Sequence, residues 1–108
     1  MLMRPPGHFE TAVLLAVTRL GEEAYGVAIR EELEKQLGRS VSFGGVYTTL
    51  DRLAKKGFVS SFTGDPTPER GGRAKKFFRI TPAGSRAVAA ARRAWRTLWS
   101  LAAGEALR

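Results

Sequence analysis

Cysteine is missing from this chain, histidine occurs once, and acids are outnumbered by bases ten to eighteen. Without cysteine there is no disulfide framework and no thiolate metal site. The single histidine, His8, opens an apolar-periodic segment with no ligand or nucleophile beside it. It reads as structural or solvated. Glu22, Glu23, Glu31, Glu32 and Glu34 lie on a helical stretch with no His or Cys nearby to complete a metal or acid–base site. "GDPTPERGGR" lacks the G-x-x-x-x-G-K-[ST] order of a phosphate-binding P-loop. No nucleophile motif is visible, no catalytic residue, metal or cofactor is expected, and the chain is not read as an enzyme. Long hydrophobic runs are also absent: no apolar stretch could span a bilayer, and "MLMRPPGHFE" lacks the apolar run of a signal peptide. The expected location is the cytoplasm.

The shortage of acids defines the electrostatics. The net charge is +8 with an isoelectric point near 10.9, although 44% hydrophobic and 26% charged residues are ordinary for a globular protein. Residues 1–57 carry 8 Lys/Arg against 7 Asp/Glu, and residues 58–108 carry 10 against 3. The excess therefore belongs to the second half, and it calls for an anionic partner: nucleic acid or an anionic membrane surface. At 108 residues the chain makes one core.

Periodicity divides the chain into seven elements. Residues 8–20 place Phe9, Val13, Ala16, Val17 and Leu20 at helical spacing, with Gly21 to close the helix. Residues 24–37 place Tyr25, Ile29, Leu33 and Leu37 on one face, with Gly38 following. The link "GRSV" is short, so a third helix must turn sharply from the second. Ser42 caps that helix, residues 43–56, and Val46, Leu50 and Leu53 point inward. At about 100° per residue the opposite face carries Gly44, Thr48, Asp51, Arg52 and Lys55, flanked by Tyr47 and Thr49. Residues 58–63 and 75–80 are β-rich runs with Phe78 and Ile80 directed to the core and Phe77 and Arg79 outward. Residues 64–74, with two prolines and three glycines, can continue neither strand and form a wing. Thr81 caps and Pro82 starts a last helix over 82–103. The fold class is mainly α with a small β-hairpin: a winged helix-turn-helix domain over 8–81 with an added C-terminal dimerisation helix.

The third helix carries the first candidate site. A recognition helix must fit a major groove about 12 Å wide, so it should be slim at its N-terminus and polar farther along. Gly44 and Gly45 permit close backbone approach and offer amide N–H groups to a phosphate, beside the cap Ser42. Tyr47, Thr48, Thr49, Arg52 and Lys55 supply polar and cationic contacts to bases or phosphates. Asp51 either pairs with Lys55 or accepts from a cytosine amino group. The wing is the second site: Arg70, Gly72, Arg73, Lys75 and Lys76 form a cationic tip and stem suited to phosphates or a narrow minor groove. On the last helix Val88, Ala91, Trp95, Leu98, Trp99 and Ala102 make an apolar seam about 160° wide in its full extent, wider than docking on its own domain requires. This predicts contact with the equivalent helix of a second copy. Trp95 and Trp99 are also candidates to line a site for a small aromatic ligand.

The stretches "AYGVAIREELEKQLG", "GGVYTTLDRLAKKGFV" and "GGRAKKFFRITPAG" resemble the PadR family of bacterial transcriptional regulators. The shared pattern is G-x-[LV]-Y-x-x-L-x-R-L-x-x-x-G-[LF]-[VI], then G-G-R-x-[KR]-[KR]-[YF]-[YF]-x-[IL]-T, over about residues 9–100. The resemblance implies a homodimeric DNA-binding repressor, responsive in some members to phenolic or drug-like ligands; two joined copies would read double-stranded DNA as a near-palindromic operator. It implies Tyr47, Thr48 and Arg52 at the DNA, Gly72 and Arg73 at the wing tip, and a single C-terminal dimerisation helix as in the short subgroup. The sequence departs from many members in its basic "AKKG" and its long, Pro-containing wing. Two other readings of the charge stand beside this one. A winged-helix module binding acidic proteins would show no duplex preference. Membrane association would use the Arg86–Arg96 face.

Overall fold

A computed structural model describes residues 6–64 and 75–104. The elements run α1 (His8–Leu20), a 3-10 turn (Gly21–Glu23), α2 (Gly26–Leu37), α3 (Phe43–Lys55), β1 (Val59–Thr63), β2 (Lys76–Ile80) and α4 (Pro82–Ala102). This is a mainly helical chain with one antiparallel hairpin, the winged helix-turn-helix class expected from the sequence pattern.

Apolar periodicity sets the core. Val13, Leu14 and Val17 of α1 meet Ile29 and Leu33 of α2, Val46, Leu50 and Leu53 of α3, and Phe58, Val59 and Phe78 of the hairpin. Leu14, Ile29, Leu50 and Leu53 are fully buried; each such side chain contributes about 1.5–3 kcal/mol. Leu37 departs from its expected inward placement. It is 41% exposed, because α2 ends over the α1–α2 groove rather than over the core.

Helix α2 begins at Gly26, two residues later than the hydrophobic spacing suggests. The cause is tertiary. The Phe78 N–H donates to the Ala24 carbonyl at 2.8 Å, and Tyr25 forms an antiparallel bridge with Phe77. Tyr25 is thus held as extended backbone along the free edge of β2, with the Ala24 carbonyl bound beside it, and helical geometry starts only beyond them. Gly38 then ends α2 in the left-handed region at φ 67°, where a Cβ would be strained.

The hairpin register pairs Val59 with Ile80, Ser61 with Phe78 and Phe62 with Phe77. Phe78 faces the core, while Phe62 and Phe77 stack on the outer face with ring centroids 5.5 Å apart. After β2, the Thr81 hydroxyl accepts from the Gly84 N–H at 3.0 Å and donates to the Gly57 carbonyl at 2.6 Å. Gly84 is buried so closely against the Phe58 carbonyl that a Cβ has no room. Helix α4 is therefore pinned at its N-terminal end, where Ala83, Ala87 and Val88 pack on the core. Its last turns, past the Trp95 contact with His8, project from the domain, which helps make the described part of the chain 62 × 35 × 21 Å.

Candidate nucleic-acid interface

The candidate interface is built on the turn between α2 and α3. Ser42 is extended, and its Oγ accepts from the Gly45 N–H at 3.0 Å, capping α3. That bond occupies the Gly45 amide, which corrects the expectation that both glycines offer free N–H groups. Gly44 is different. It is exposed, and a Cβ there would meet nothing within 4 Å. Packing among the described residues gives no reason for glycine at this position.

Behind this slim end the exposed face carries Tyr47, Thr48, Asp51, Arg52 and Lys55. Arg52 and Lys55 enter no ion pair among the described residues, so their charge is available to an anion; Asp51 makes no pair with Lys55 either. Thr49 must be removed from the set. It is only 5% exposed, because its turn of α3 faces the core beside Leu50 and Leu53, and it offers no surface to a duplex. The flank position inferred from about 100° per residue falls just inside the burial boundary.

Tyr47 is half-exposed at 43%, and its placement involves two helices. Its ring stacks on Phe43 with centroids 6.3 Å apart, and its hydroxyl end lies directly over Gly26, where a Cβ would collide with it. With Tyr47 in this position only glycine fits at Gly26, and a larger residue there would displace the tyrosine, a link between the "AYG" and "GGVYTT" stretches that neither shows alone.

Of the wing residues, Lys75 and Lys76 are described, while Arg70, Gly72 and Arg73 lie outside the described residues. Lys75 Nζ sits 4.1 Å from the Tyr25 ring centroid, a cation–π contact that holds it at the base of the wing beside the start of α2. Lys76 is exposed on β2. The wing stem is therefore tied through Tyr25 and Phe77 to the start of α2, the same place where Tyr47 of α3 rests on Gly26.

One ion pair supports the interface from behind. Lys56 Nζ lies 2.8 Å from Glu10 Oε1, and the same carboxylate accepts from the Gly7 N–H at 3.0 Å. Burial pushes the Glu10 carboxyl up, but Lys56, the Gly7 amide and the charge of Arg52 outweigh it and hold the carboxyl below its ordinary 4.5. The start of α1 is thereby tied to the end of α3.

On α4, Val88 and Ala91 are partly buried, whereas Trp95, Leu98 and Trp99 are 41, 55 and 70% exposed and Ala102 is exposed. Trp95 is not a free platform: its ring lies 4.8 Å from that of His8, at an interplanar angle of 43°. Pro6, His8, Thr11, Ala91, Ala94 and Leu98 join it around a cleft of about 200 Å³. Among the described residues no group of three or more His, Cys, Asp or Glu could hold a metal ion, and no helix is long and apolar enough to cross a membrane.

A capped helix-turn-helix followed by a two-stranded wing and a projecting helix defines the class of winged-helix regulators. The transcriptional regulator PadR-like family model matches residues 13–90, and the chain belongs to that family, whose members are regulators of transcription rather than enzymes. No curated protein matches the sequence. Among solved structures, a transcriptional regulator from Clostridium thermocellum is 22% identical over 88% of this chain and 86% of its own, with a TM-score of 0.73. A PadR-like regulator from Bacillus cereus is 22% identical over 93% and 91%, with a TM-score of 0.72. Bacillus subtilis PadR in complex with operator DNA is 24% identical over 74% of this chain but 44% of its own, with a TM-score of 0.62.

Proposed function

We propose that the protein is a homodimeric, sequence-specific repressor that binds double-stranded DNA. The observation that carries this reading is the exposed face of α3. Its N-terminal turn is slimmed by a glycine that internal packing does not need, and Tyr47, Thr48, Arg52 and Lys55 follow in the order a major-groove helix requires. Family membership supports it, as does the fold shared with the PadR solved on its operator. Ser42, Gly44 and Gly45 bring the backbone close to phosphate. Lys75 and Lys76, with Arg70, Gly72 and Arg73 of the loop sequence between the strands, track phosphates beside the groove.

The dimer forms through α4. Trp95, Leu98, Trp99 and Leu101 are all exposed on one helix, and a contiguous exposed apolar patch of this kind marks an interaction site. Val88, Ala91 and Ala102 extend the seam at either end. Two copies joined there present their recognition helices to half-sites about 34 Å apart on a near-palindromic operator. A small aromatic ligand would relieve repression from the Trp95 and Trp99 region. The cleft at Trp95 is about 200 Å³ in one chain, below the usual ~300–1,000 Å³ of ligand pockets, and in this reading the second copy adds the missing walls.

Selection of bound duplexes from a random pool, followed by footprinting, tests partner class, symmetry and spacing together. A symmetric footprint with two half-sites is expected; binding without duplex preference refutes the reading and favours an acidic protein partner. Arg73→Ala is expected to weaken binding on all sequences and to lower the salt slope by about 1. For the ligand, Trp fluorescence that stays constant across a panel of planar aromatic compounds removes that part of the proposal.

A further inference from the structure

Arg30 is absent from the candidate contact set, yet its surroundings join the body of α2 to the exposed face of α3. Its Nε–H donates to the Val41 carbonyl at 2.9 Å, and its Nη2 lies 3.5 Å from Glu34 Oε2. The same Glu34 oxygen accepts from the Val41 N–H at 3.0 Å. Two side chains one helical turn apart on α2 thus hold both backbone polar groups of Val41, a residue 6% exposed that immediately precedes the cap of α3. The guanidinium carbon also sits 4.3 Å from the Phe43 ring centroid. Phe43 stacks on Tyr47, and the far end of Tyr47 rests on Gly26 at the start of α2. The circuit Arg30–Phe43–Tyr47–Gly26 therefore leaves α2 and returns to it, and it passes through the first turn of the proposed recognition helix.

We propose that Arg30, with Glu34 as its counter-charge, is a positioning residue that fixes the rotamer of Tyr47 and the entry angle of α3 and thereby sets operator discrimination without touching DNA. This rests on the DNA-binding reading given above. Three features separate it from a phosphate-binding arginine. Its Nε and Nη2 are already engaged within the chain. Its charge is matched by Glu34. Its planar face is spent on Phe43, where the fork and the stack together demand guanidinium geometry. They also separate it from a merely stabilising contact, because the stack ends on a side chain in the proposed interface.

The test compares wild type, Arg30→Gln and Phe43→Leu on the operator recovered by duplex selection and on random duplex, over a range of salt concentrations, with a thermal melt for each protein. Phe43 is 39% exposed, so its replacement leaves the core intact and keeps the test valid should Arg30→Gln fold poorly. Both variants are expected to lose about tenfold in the operator-to-random affinity ratio, the size of one base contact. The slope of log K against log salt should stay at the wild-type value, and the double variant should lose little beyond either single one. A slope reduced by about 1 with equal loss on both duplexes makes Arg30 a phosphate ligand and overturns the proposal. A lowered melting temperature with an unchanged ratio reduces Arg30 to a stabilising contact and overturns it too. Wild-type protein that binds no duplex refutes the DNA-binding reading itself, and with it the role assigned to Arg30.

Discussion

Replacing Gly44 by alanine should move folding and DNA binding in opposite directions. Gly44 is the second residue of α3, exposed, with open space where a Cβ would stand. Alanine gains about 1 kcal/mol over glycine in a helix interior and about half that in a first turn, through lower backbone entropy in the unfolded chain. For a domain of this size about 0.5 kcal/mol raises the melting temperature by roughly 2–4 °C. On the operator the same methyl would stand between the helix backbone and the groove. Loss of one close backbone contact costs about 1.4 kcal/mol, or tenfold in affinity. Fluorescence anisotropy on selected and scrambled duplexes, beside a thermal melt, measures both quantities. Gly45→Ala serves as the contrast: its Cβ would lie 3.1 Å from the Ser42 hydroxyl, so the cap must shift slightly and the melting temperature should rise less than for Gly44→Ala. A Gly44→Ala protein that melts higher and binds the operator as tightly as wild type would refute close backbone approach at this turn.

Three further outcomes follow from the packing. Gly84→Ala forces a methyl into the Phe58 carbonyl and should cost about 1–3 kcal/mol, seen as a lowered melting temperature; an unchanged melt would mean that α4 docks more loosely than the structure shows. The lowered Glu10 carboxyl contributes stability that is complete above its ordinary 4.5 and is lost as pH falls through its folded value. Wild type and Glu10→Gln should therefore differ most near neutral pH and converge in acid, and a gap that stays constant down to pH 3 contradicts the Glu10–Lys56 account. Trp99→Ala removes the most exposed large apolar side chain of α4 and should weaken self-association at least tenfold in sedimentation equilibrium. Unaltered association would place the dimer contact elsewhere.

Much of the architecture is legible because local signals agree with tertiary demands. Ser42 before an apolar-periodic run, Thr81–Pro82 before another, and a glycine- and proline-rich gap between two β-rich runs each describe structure within a few residues of themselves. What escapes is long-range. The non-helical Ala24–Tyr25 segment is set by β2, more than fifty residues later, and spacing alone continues the helix through it. Thr49 lies at the edge of the buried arc, where a small change in helix rotation decides between core and solvent. Gly26 reads as an ordinary glycine at a helix start until the Tyr47 hydroxyl is placed above it. Arg30 sits among charged residues of α2 and offers no periodic clue, since its partners are the carbonyl of Val41 and the face of Phe43. The cationic and apolar stripes are thus readable from one dimension, while the contacts that aim them are not.

The tight seat of Gly84 under the Phe58 carbonyl has a geometric consequence for spacing. A helix of 21 residues is about 31 Å long, so a tilt of roughly 10° at its anchored end swings the far end by about 5 Å. That is more than one base-pair rise of about 3.4 Å. In a pair of molecules joined by these arms, the fit of one missing methyl would act as a gauge for the distance between half-sites.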